Sequence, residues 1–223
     1  MLPVNNNPDL PVQTYLRSTG DAPSSSSVSQ TATVPLRPDE YYALWSEWEE
    51  NAMPGMGEKR DIAVARMREC LETGRKLLDL AELQLSSLPD FLPPEISLLH
   101  VRCNHLCKLP DNLPETLAVI DASDNELTEI PVNLPHDINY LVFRKNQVEN
   151  IPSNLPDTIR DLDLAENRLS TLPDHLPDSL QFLDLRDNQF GVLRRNRRNF
   201  RYPSFSPETS ASRSIISSLL WKV

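Results

Sequence analysis

The segment L-D-L-A-E-N-R-L-S-T-L-P-D-H-L-P-D-S-L, residues 162–180, contains the pattern that decides the fold. Its recurring positions return every 21 residues through the middle of the chain. The asparagine recurs as Asn104, Asn125, Asn146, Asn167 and Asn188, and the first proline as Pro89, Pro110, Pro131, Pro152 and Pro173. The first apolar residue of each L-x-L segment keeps the same period, as Leu78, Leu99, Ile120, Leu141, Leu162 and Leu183. So many columns in one register indicate a solenoid of stacked repeats.

The spacing inside one repeat predicts the path of the chain. In L-x-L the two apolar residues point inward and the residue between them points outward, as in a short strand that stacks in parallel on its neighbours. The asparagine follows where the chain turns inward, and its amide can bond backbone groups of adjacent coils that would otherwise be buried without partners. The L-P-x-x-L-P half cannot be helical, because proline removes N–H donors and biases the preceding residue to extended conformations.

This pattern is that of a leucine-rich repeat. It predicts an α+β solenoid, a leucine-rich-repeat horseshoe with short parallel strands, an extended convex side and an N-terminal two-helix cap. For the first cap helix, Asp39 and Glu40 after Pro38 suit a helix start, and one apolar face is formed by Tyr41, Leu44, Trp45 and Trp48. The second helix is predicted to end near Gly74 and to bury Ile62, Ala63, Ala65, Met67, Cys70 and Leu71.

We divide the chain into four parts on this basis. Residues 1–36 are poor in large apolar groups and are expected to be disordered. Residues 37–75 form the helical cap, residues 76–193 the repeats, and residues 194–223 a basic, flexible tail. The tail includes the cluster Arg194, Arg195, Arg197, Arg198 and Arg201. Four interpretations of that cluster stay open: contact with phosphate, contact with an acidic partner, contact with a nuclear import receptor, or a solvated tail. Ile215 to Trp221 is either a short helix over the last coil or an out-of-frame remnant.

The composition excludes several classes of protein. The chain has 20 prolines but only 5 glycines, and it contains neither G-x-G-x-x-G nor G-x-x-x-x-G-K, which argues against nucleotide-binding enzymes. A formal net charge of -10 argues against nucleic-acid binding by the body of the chain. No apolar run approaches the length of a membrane span, and the start of the chain does not have the pattern of a secretory signal peptide.

Four potential metal ligands lie close together in one repeat, namely His100, Cys103, His105 and Cys107. The coil is expected to point them in different directions, because His100 faces outward from the strand while Cys107 lies past the turn. No histidine at a supporting spacing favours a cysteine nucleophile either. We therefore predict no cofactor, no metal site and no enzymatic activity.

The candidate site is the concave face, formed by outward side chains of the strands. No periodic demand of the core fixes these residue types, so a binding function is free to set them. Arginines recur on alternate coils with acids beside them, and arginine is well suited to anchor a protein partner. The alternative is that these charges pair across coils and serve only solubility. The predicted partner-binding residues are Arg102, Asp121, Asp124, Arg144, Lys145, Asp163, Glu166, Asp184 and Arg186.

The stretch E-Y-Y-A-L-W-S-E-W-E-E-N-A-M-P-G-M-G-E-K-R, residues 40–60, followed by A-V-A-R-M-R-E-C-L, resembles the helical cap of the YopM and IpaH effectors. These are type III secreted leucine-rich-repeat proteins of Gram-negative pathogens, and the short L-P-x-x-L-P repeat is also their form. The resemblance covers about residues 37–193. It implies that the N-terminal segment is an export signal and that the protein acts inside a host cell, in its cytoplasm or its nucleus.

The resemblance also bears on enzymatic activity. IpaH members carry a C-terminal ubiquitin ligase domain with a nucleophilic cysteine in a C-x-D motif, and none of Cys70, Cys103 and Cys107 stands in such a motif. A chain that ends at Val223 is also expected to be too short for that domain. The leading hypothesis is a non-enzymatic effector whose concave face binds a host protein, with a secretion chaperone as a possible N-terminal partner. The alternatives are a truncated substrate-recognition module of an IpaH-type E3 ubiquitin ligase and, more remotely, a structural repeat protein that is never exported.

Overall fold

The fold consists of two helices followed by six short strands, one strand to a coil. The computed structural model describes residues 36–52, 55 and 57–190. The helices are α1 (Pro38–Glu50) and α2 (Arg60–Thr73). The strands are β1 (Leu77–Asp79), β2 (Leu98–His100), β3 (Val119–Asp121), β4 (Tyr140–Val142), β5 (Asp161–Asp163) and β6 (Phe182–Asp184). Predictions for the basic tail, for Ile215 to Trp221 and for nearly all of the N-terminal segment fall outside the described residues.

The strands form one parallel sheet in chain order. Each residue pairs with the residue 21 positions further on, as Leu78 does with Leu99 and Leu99 with Ile120. The middle residue of every strand is buried and its neighbours are more exposed, as strand alternation requires. The 21-residue period of the sequence is therefore the pairing register of the sheet, and the predicted leucine-rich-repeat solenoid is confirmed.

The asparagine column forms a ladder of buried hydrogen bonds between coils. The side-chain oxygen of Asn104 accepts the N–H groups of Leu83 and Leu85 at 3.1 and 2.9 Å. Its amide nitrogen donates to the carbonyls of Leu80 and Val101 at 2.9 and 2.8 Å. The pattern recurs at Asn125, Asn146, Asn167 and Asn188. These amides satisfy backbone groups that the coil geometry leaves without a ladder partner, as the sequence predicts.

The proline half of each coil is non-helical, as predicted, and contains one tight turn after the second proline. The N–H of Leu117 donates to the carbonyl of Pro114 at 3.1 Å, and the next three coils repeat this bond. A hydroxyl column adjoins the turn: the side chain of Thr116 donates to the carbonyls of Pro94 and Ile96 in the preceding coil, at 2.9 and 2.6 Å. Thr158 and Ser179 occupy the same position two and three coils later and make the equivalent bonds.

Both cap helices pack on the first coil. In α1 the indole of Trp45 is fully buried and its Nε1 donates to the carbonyl of Phe91 at 2.7 Å. The helix α2 ends at Gly74, whose φ of 69° lies in the left-handed region that glycine adopts readily. The inward face of α2 consists of Arg60, Ala63, Val64, Met67 and Cys70.

The predicted buried face of α2 is wrong at two positions. Ile62 is 37% exposed and Ala65 is also exposed, whereas Val64 is buried. The buried residues Arg60, Ala63, Val64, Met67 and Cys70 recur at spacings of three and four residues and so lie on one side of α2. Ile62 and Ala65 lie outside that stripe.

A buried ion pair joins the cap to the first coil. Arg60 Nε donates to the Glu58 carboxylate at 2.6 Å, and both side chains are less than a tenth exposed. The Arg60 guanidinium also donates to the carbonyl of Trp48 at 2.5 Å and lies 4.6 Å from the centre of the Trp48 ring. The other Glu58 oxygen accepts the N–H of Ser86 at 2.7 Å. Burial alone would raise the pKa of Glu58, but the bonds from Ser86 and Arg60 hold it below its usual value.

Candidate functional site: the concave face

The concave face is the surface formed by the outward side chains of β1–β6 and by the two residues that precede each ladder asparagine. It contains four columns, each with one residue from every coil. The start column is Leu77, Leu98, Val119, Tyr140, Asp161 and Phe182, and the middle column is Asp79, His100, Asp121, Val142, Asp163 and Asp184. The arginine column is Ala81, Arg102, Ser123, Arg144, Ala165 and Arg186, and the turn column is Glu82, Cys103, Asp124, Lys145, Glu166 and Asp187.

The aspartates of the middle column have a local structural role that the sequence reading does not foresee. Asp163 Oδ1 accepts the N–H of Ala165 at 3.0 Å, two residues further on. Asp79, Asp121 and Asp184 make the same bond, and Asp121 also accepts the hydroxyl of Ser123 at 2.6 Å. Such a bond closes an Asx turn, which ends the strand after three residues. The predicted site residues Asp121, Asp163 and Asp184 therefore also shape the backbone.

The turn column is constrained as well. Cys103, Asp124, Lys145, Glu166 and Asp187 all have φ between 56° and 58°, in the left-handed region. Residues other than glycine seldom adopt this region, and here each coil forces one residue into it. The expectation that the repeat makes no demand on this column is therefore wrong for the backbone, although the side chains remain directed outward.

The predicted basic residues of the face are paired with acids. The pairs are Arg102 with Glu82, Arg144 with Glu166, Lys145 with Asp124, and Arg186 with Asp184. All of these side chains except Asp184 are more than a third exposed. Exposed pairs contribute little to stability and exchange readily for other partners, so they leave the charges available to a bound protein. Charge pairing, which the sequence analysis gave as the alternative to partner binding, is thus present in the structure. It does not exclude binding.

Pairing shifts the pKa of two residues on the face, Asp184 and Lys145. Burial alone would raise the pKa of Asp184, but the side chain and backbone N–H of Arg186 bond it and hold its pKa below the usual value. The hydrogen bond to Asp124 raises the pKa of Lys145. Asp184 and Lys145 are therefore both charged near neutral pH.

The start column is the part of the face that the sequence reading misses. Its members are apolar in five of the six coils, and Leu77, Tyr140 and Phe182 are 37%, 44% and 36% exposed. The signal was available, because strand alternation puts the residue before the first inward leucine on the same side as the residue after it. A row of exposed apolar side chains next to a charged column is typical of a protein-binding surface.

In the middle of this row, Asp161 replaces the apolar residue. It pairs in register with Tyr140, and its neighbour Asp163 pairs with Val142. Burial raises the pKa of Asp161. Burial also raises the pKa of Asp163, and the nearby Asp184 carboxylate reinforces this effect, although the N–H of Ala165 donates a hydrogen bond to Asp163. Within the described part of the chain, neither carboxylate forms an ion pair.

The histidine and cysteine residues of the second coil do not converge. The ring of His105 lies between Glu126 and Gln84, at 3.1 Å from each, whereas Cys103 Sγ lies 3.8 Å from Asp124 and Cys107 is exposed. No group of three or more potential metal ligands occurs among residues 36–52, 55 and 57–190. In the same residues no helix is long and apolar enough to cross a membrane.

The stacked coils, the asparagine ladder and the outward columns define a leucine-rich-repeat module with a strand-lined face. Comparison with known proteins narrows this class. Residues 6–65 match a family described as "Type III secretion system leucine rich repeat protein". The chain is 54% identical over 67 residues to the "Outer membrane protein YopM" of Yersinia pestis, and 41% identical over 106 residues to the "E3 ubiquitin-protein ligase ipaH9.8" of Shigella boydii.

Solved structures agree with these relatives. A Shigella effector leucine-rich-repeat domain is 41% identical, with a TM-score of 0.63, over 67% of this chain and 66% of that one. The structure of YopM from Yersinia pestis is also 41% identical, with a TM-score of 0.64, over 70% of this chain and 43% of that one. The chain belongs to the YopM/IpaH type of leucine-rich-repeat type III secretion effectors. Its match spans only 16% of the length of either curated relative.

Proposed function

We propose that this protein is an exported effector that binds a host protein through its concave face and catalyses no reaction itself. The observation that carries the proposal is the composition of that face. Exposed apolar residues of the start column share the face with arginines on alternate coils, and the middle column lies between them. The backbone of the face is held by buried hydrogen bonds. A rigid scaffold that presents aromatic and arginine side chains binds proteins at low entropic cost.

The nine predicted residues are proposed to act in two ways. Arg102, Arg144, Lys145 and Arg186, with Asp124 and Glu166, are exposed charges that a partner can engage by replacing the present pairs. Asp121, Asp163 and Asp184 hold the strand ends. Asp121 and Asp163 each offer a second carboxylate oxygen to the partner, whereas Asp184 is buried and orients the guanidinium of Arg186, which bonds both of its oxygens. The arginines of this column are the most direct test, because the side chains of Arg102, Arg144 and Arg186 are all more than a third exposed.

The experiment is capture of host proteins from a host-cell lysate by the immobilised full chain, with bound proteins identified by mass spectrometry. The double variant Arg144→Ala with Arg186→Ala removes both guanidinium groups without placing a new carboxylate beside Glu166 or Asp184. We expect affinity for the captured partner to fall about tenfold or more. Lys108→Ala is the matched control, because Lys108 is an exposed cation beyond the ladder asparagine of its coil. Unchanged affinity in the double variant would contradict a role for the arginine column.

Export by a type III system is proposed for the N-terminal segment. The family match begins at residue 6 and therefore includes most of residues 1–36 together with α1. The test is a reporter fused to residues 1–36, expressed in bacteria with a functional needle-type secretion system and in bacteria without one. Delivery of the reporter into host cytoplasm only in the first case supports the proposal, and delivery in neither removes the export claim for this segment.

A second candidate function is substrate recognition for an E3 ubiquitin ligase. The observation that favours it is the 41% identity over 106 residues to ipaH9.8, which is named a ligase. The DNA that follows the codon of Val223 distinguishes the two candidates. An open ligase frame there supports the recognition module, and its absence supports a binding protein that acts alone.

A further inference from the structure

The strands β4 and β5 create a small array on the concave face that differs from the rest of it. Tyr140 lies opposite Asp161 and Val142 lies opposite Asp163, in parallel register. Adjacent strands are about 4.8 Å apart and alternate residues on one face are about 7 Å apart, so the four side chains occupy neighbouring positions. Tyr140 is 44% exposed and the other three are partly exposed. Two apolar side chains thus lie directly beside two carboxylates.

Arginines lie near the array, with Arg160 acting through space on Asp161 and Arg144 and Arg186 acting on Asp163. Within the described residues, none of them forms an ion pair with either carboxylate. The two nearest arginines of the face are engaged elsewhere, Arg144 by Glu166 and Arg186 by Asp184. Asp163 accepts one backbone N–H, from Ala165, which occupies only one of its oxygens. For Asp161, no hydrogen bond or ion pair of the carboxylate occurs among the residues that the structure describes. The cap, by contrast, gives its buried carboxylate Glu58 both a cation and a backbone donor.

We propose that Tyr140, Val142, Asp161 and Asp163 form a binding site for an arginine side chain of the protein partner. An arginine fits both halves of the array. Its guanidinium is planar, donates in a fork to carboxylates and stacks on aromatic rings, while its aliphatic stem packs on apolar groups. The guanidinium bonds Asp161 and Asp163, and the stem or the guanidinium plane lies against Tyr140 and Val142.

This inference deepens the proposed function and rests on it, since it names the chemistry that the concave face selects. It also explains why two carboxylates lie here without an ion-pair partner. Ionised carboxylates that lose water without gaining a cation are unfavourable in the free protein, and a bound guanidinium supplies the missing charge. The array therefore favours a partner with an exposed arginine next to an apolar residue over one with an acidic surface.

The probe is a pair of synthetic peptides, Leu-Arg-Leu with blocked ends and its counterpart with citrulline in place of arginine. Citrulline keeps the length and planarity of the side chain and removes the charge. Binding to the full chain is followed by the methyl resonances of Val142 and Val119. We expect the arginine peptide to shift these resonances saturably and the citrulline peptide to bind about tenfold more weakly or worse.

The double variant Asp161→Asn with Asp163→Asn removes both charges and keeps an acceptor oxygen for the Ala165 N–H. We expect it to bind both peptides equally weakly. Asp79→Asn is the matched control, because Asp79 makes the same backbone bond, to Ala81 at 3.0 Å, but has no counterpart of Tyr140 beside it. Equal binding of the two peptides to the native chain, native affinity in the double variant, or resonance shifts confined to other coils would each overturn the proposal.

The chain's own basic tail is the competing occupant. If the native chain ignores the peptide while a variant with alanine at Arg194, Arg195, Arg197 and Arg198 binds it, the site serves the tail and an external arginine partner is ruled out. This inference and the proposed function can also be tested separately. Host capture that is unchanged by Asp161→Asn with Asp163→Asn overturns this inference alone, whereas no capture by the native chain contradicts the proposed function.

Discussion

Replacing Asn146 by alanine tests the idea that the asparagine ladder holds the coils together. In the native chain, Asn146 Oδ1 accepts the N–H of Leu127 at 2.9 Å, and Nδ2 donates to the carbonyls of Ala122 and Phe143 at 2.9 and 3.1 Å. Alanine removes these bonds and leaves the buried N–H of Leu127 without its partner, while the carbonyls of Ala122 and Phe143 still accept from Asn125 and Asn167. At about 1–3 kcal/mol for one buried group left unsatisfied, the free energy of unfolding should fall by about 2 kcal/mol.

The assay is equilibrium unfolding in urea, followed by circular dichroism, of the native chain and of Asn146→Ala. The control is Asn150→Ala, an exposed asparagine only four residues away, which should change the free energy of unfolding by less than about 0.5 kcal/mol. A loss below about 1 kcal/mol in Asn146→Ala, or an equal loss in the control, would refute the reasoning. It would mean that water or a shifted backbone satisfies the N–H of Leu127 as well as the amide does.

Four further predictions concern positions outside the ladder. Asp137 stands in the hydroxyl column, where the threonine of the preceding coil bonds two carbonyls, so Asp137→Thr should raise the free energy of unfolding by about 1 kcal/mol in urea titrations while Asp137→Ala should not match it. Arg60→Ala should cost about 3 kcal/mol or more because it leaves the buried Glu58 carboxylate unpaired. Because the folded chain lowers the pKa of Glu58, its ionised carboxylate contributes fully to stability above the unfolded pKa of 4.5, and this contribution is lost as the pH falls through the folded pKa. Glu58→Gln should therefore flatten the acid limb of a profile of thermal stability against pH, and an unchanged limb would contradict this. The raised pKa of Asp163 has the opposite sign, so Asp163→Asn should raise stability at neutral pH by up to about 0.5 kcal/mol, with the gain disappearing as pH falls below the unfolded value of 3.8; a loss of stability at pH 7 would contradict it.

The fold could be predicted from the sequence because each coil repeats the same local demands. The spacing of Leu162 and Leu164 specifies a strand, Asn167 specifies the inward turn, and Pro173 excludes a helix. Non-periodic features were harder to predict. Burial of Arg60 is an example, since its partner Glu58 and the ring of Trp48 make a charged residue part of the cap core. An apolar pattern does not mark a charged residue as buried.

The candidate site was predictable in outline but not in detail. Outward residues of the strands form the face as expected, yet the bond of Asp163 to Ala165 and the left-handed backbone at Lys145 are properties of the folded turn. The apolar start column was overlooked because the residue before a repeat leucine looks like part of the core in a leucine-rich sequence. In the folded chain this column lies on the outward side of the strands, and its exposure is greatest at Tyr140. The roles assigned to the individual charged residues of the face stay predictions.

The central claim is that the concave face of this YopM/IpaH-type effector contacts a host protein, and site-specific crosslinking tests it most directly. The photoreactive residue p-benzoylphenylalanine is placed at Tyr140 on the face in one protein and at Val132 on the proline side in another; both native residues are exposed, at 44% and 62%. After irradiation in host-cell lysate, crosslinked proteins are identified by mass spectrometry. The account predicts a specific host protein crosslinked from position 140 and not from position 132. A partner crosslinked from position 132 alone would contradict it.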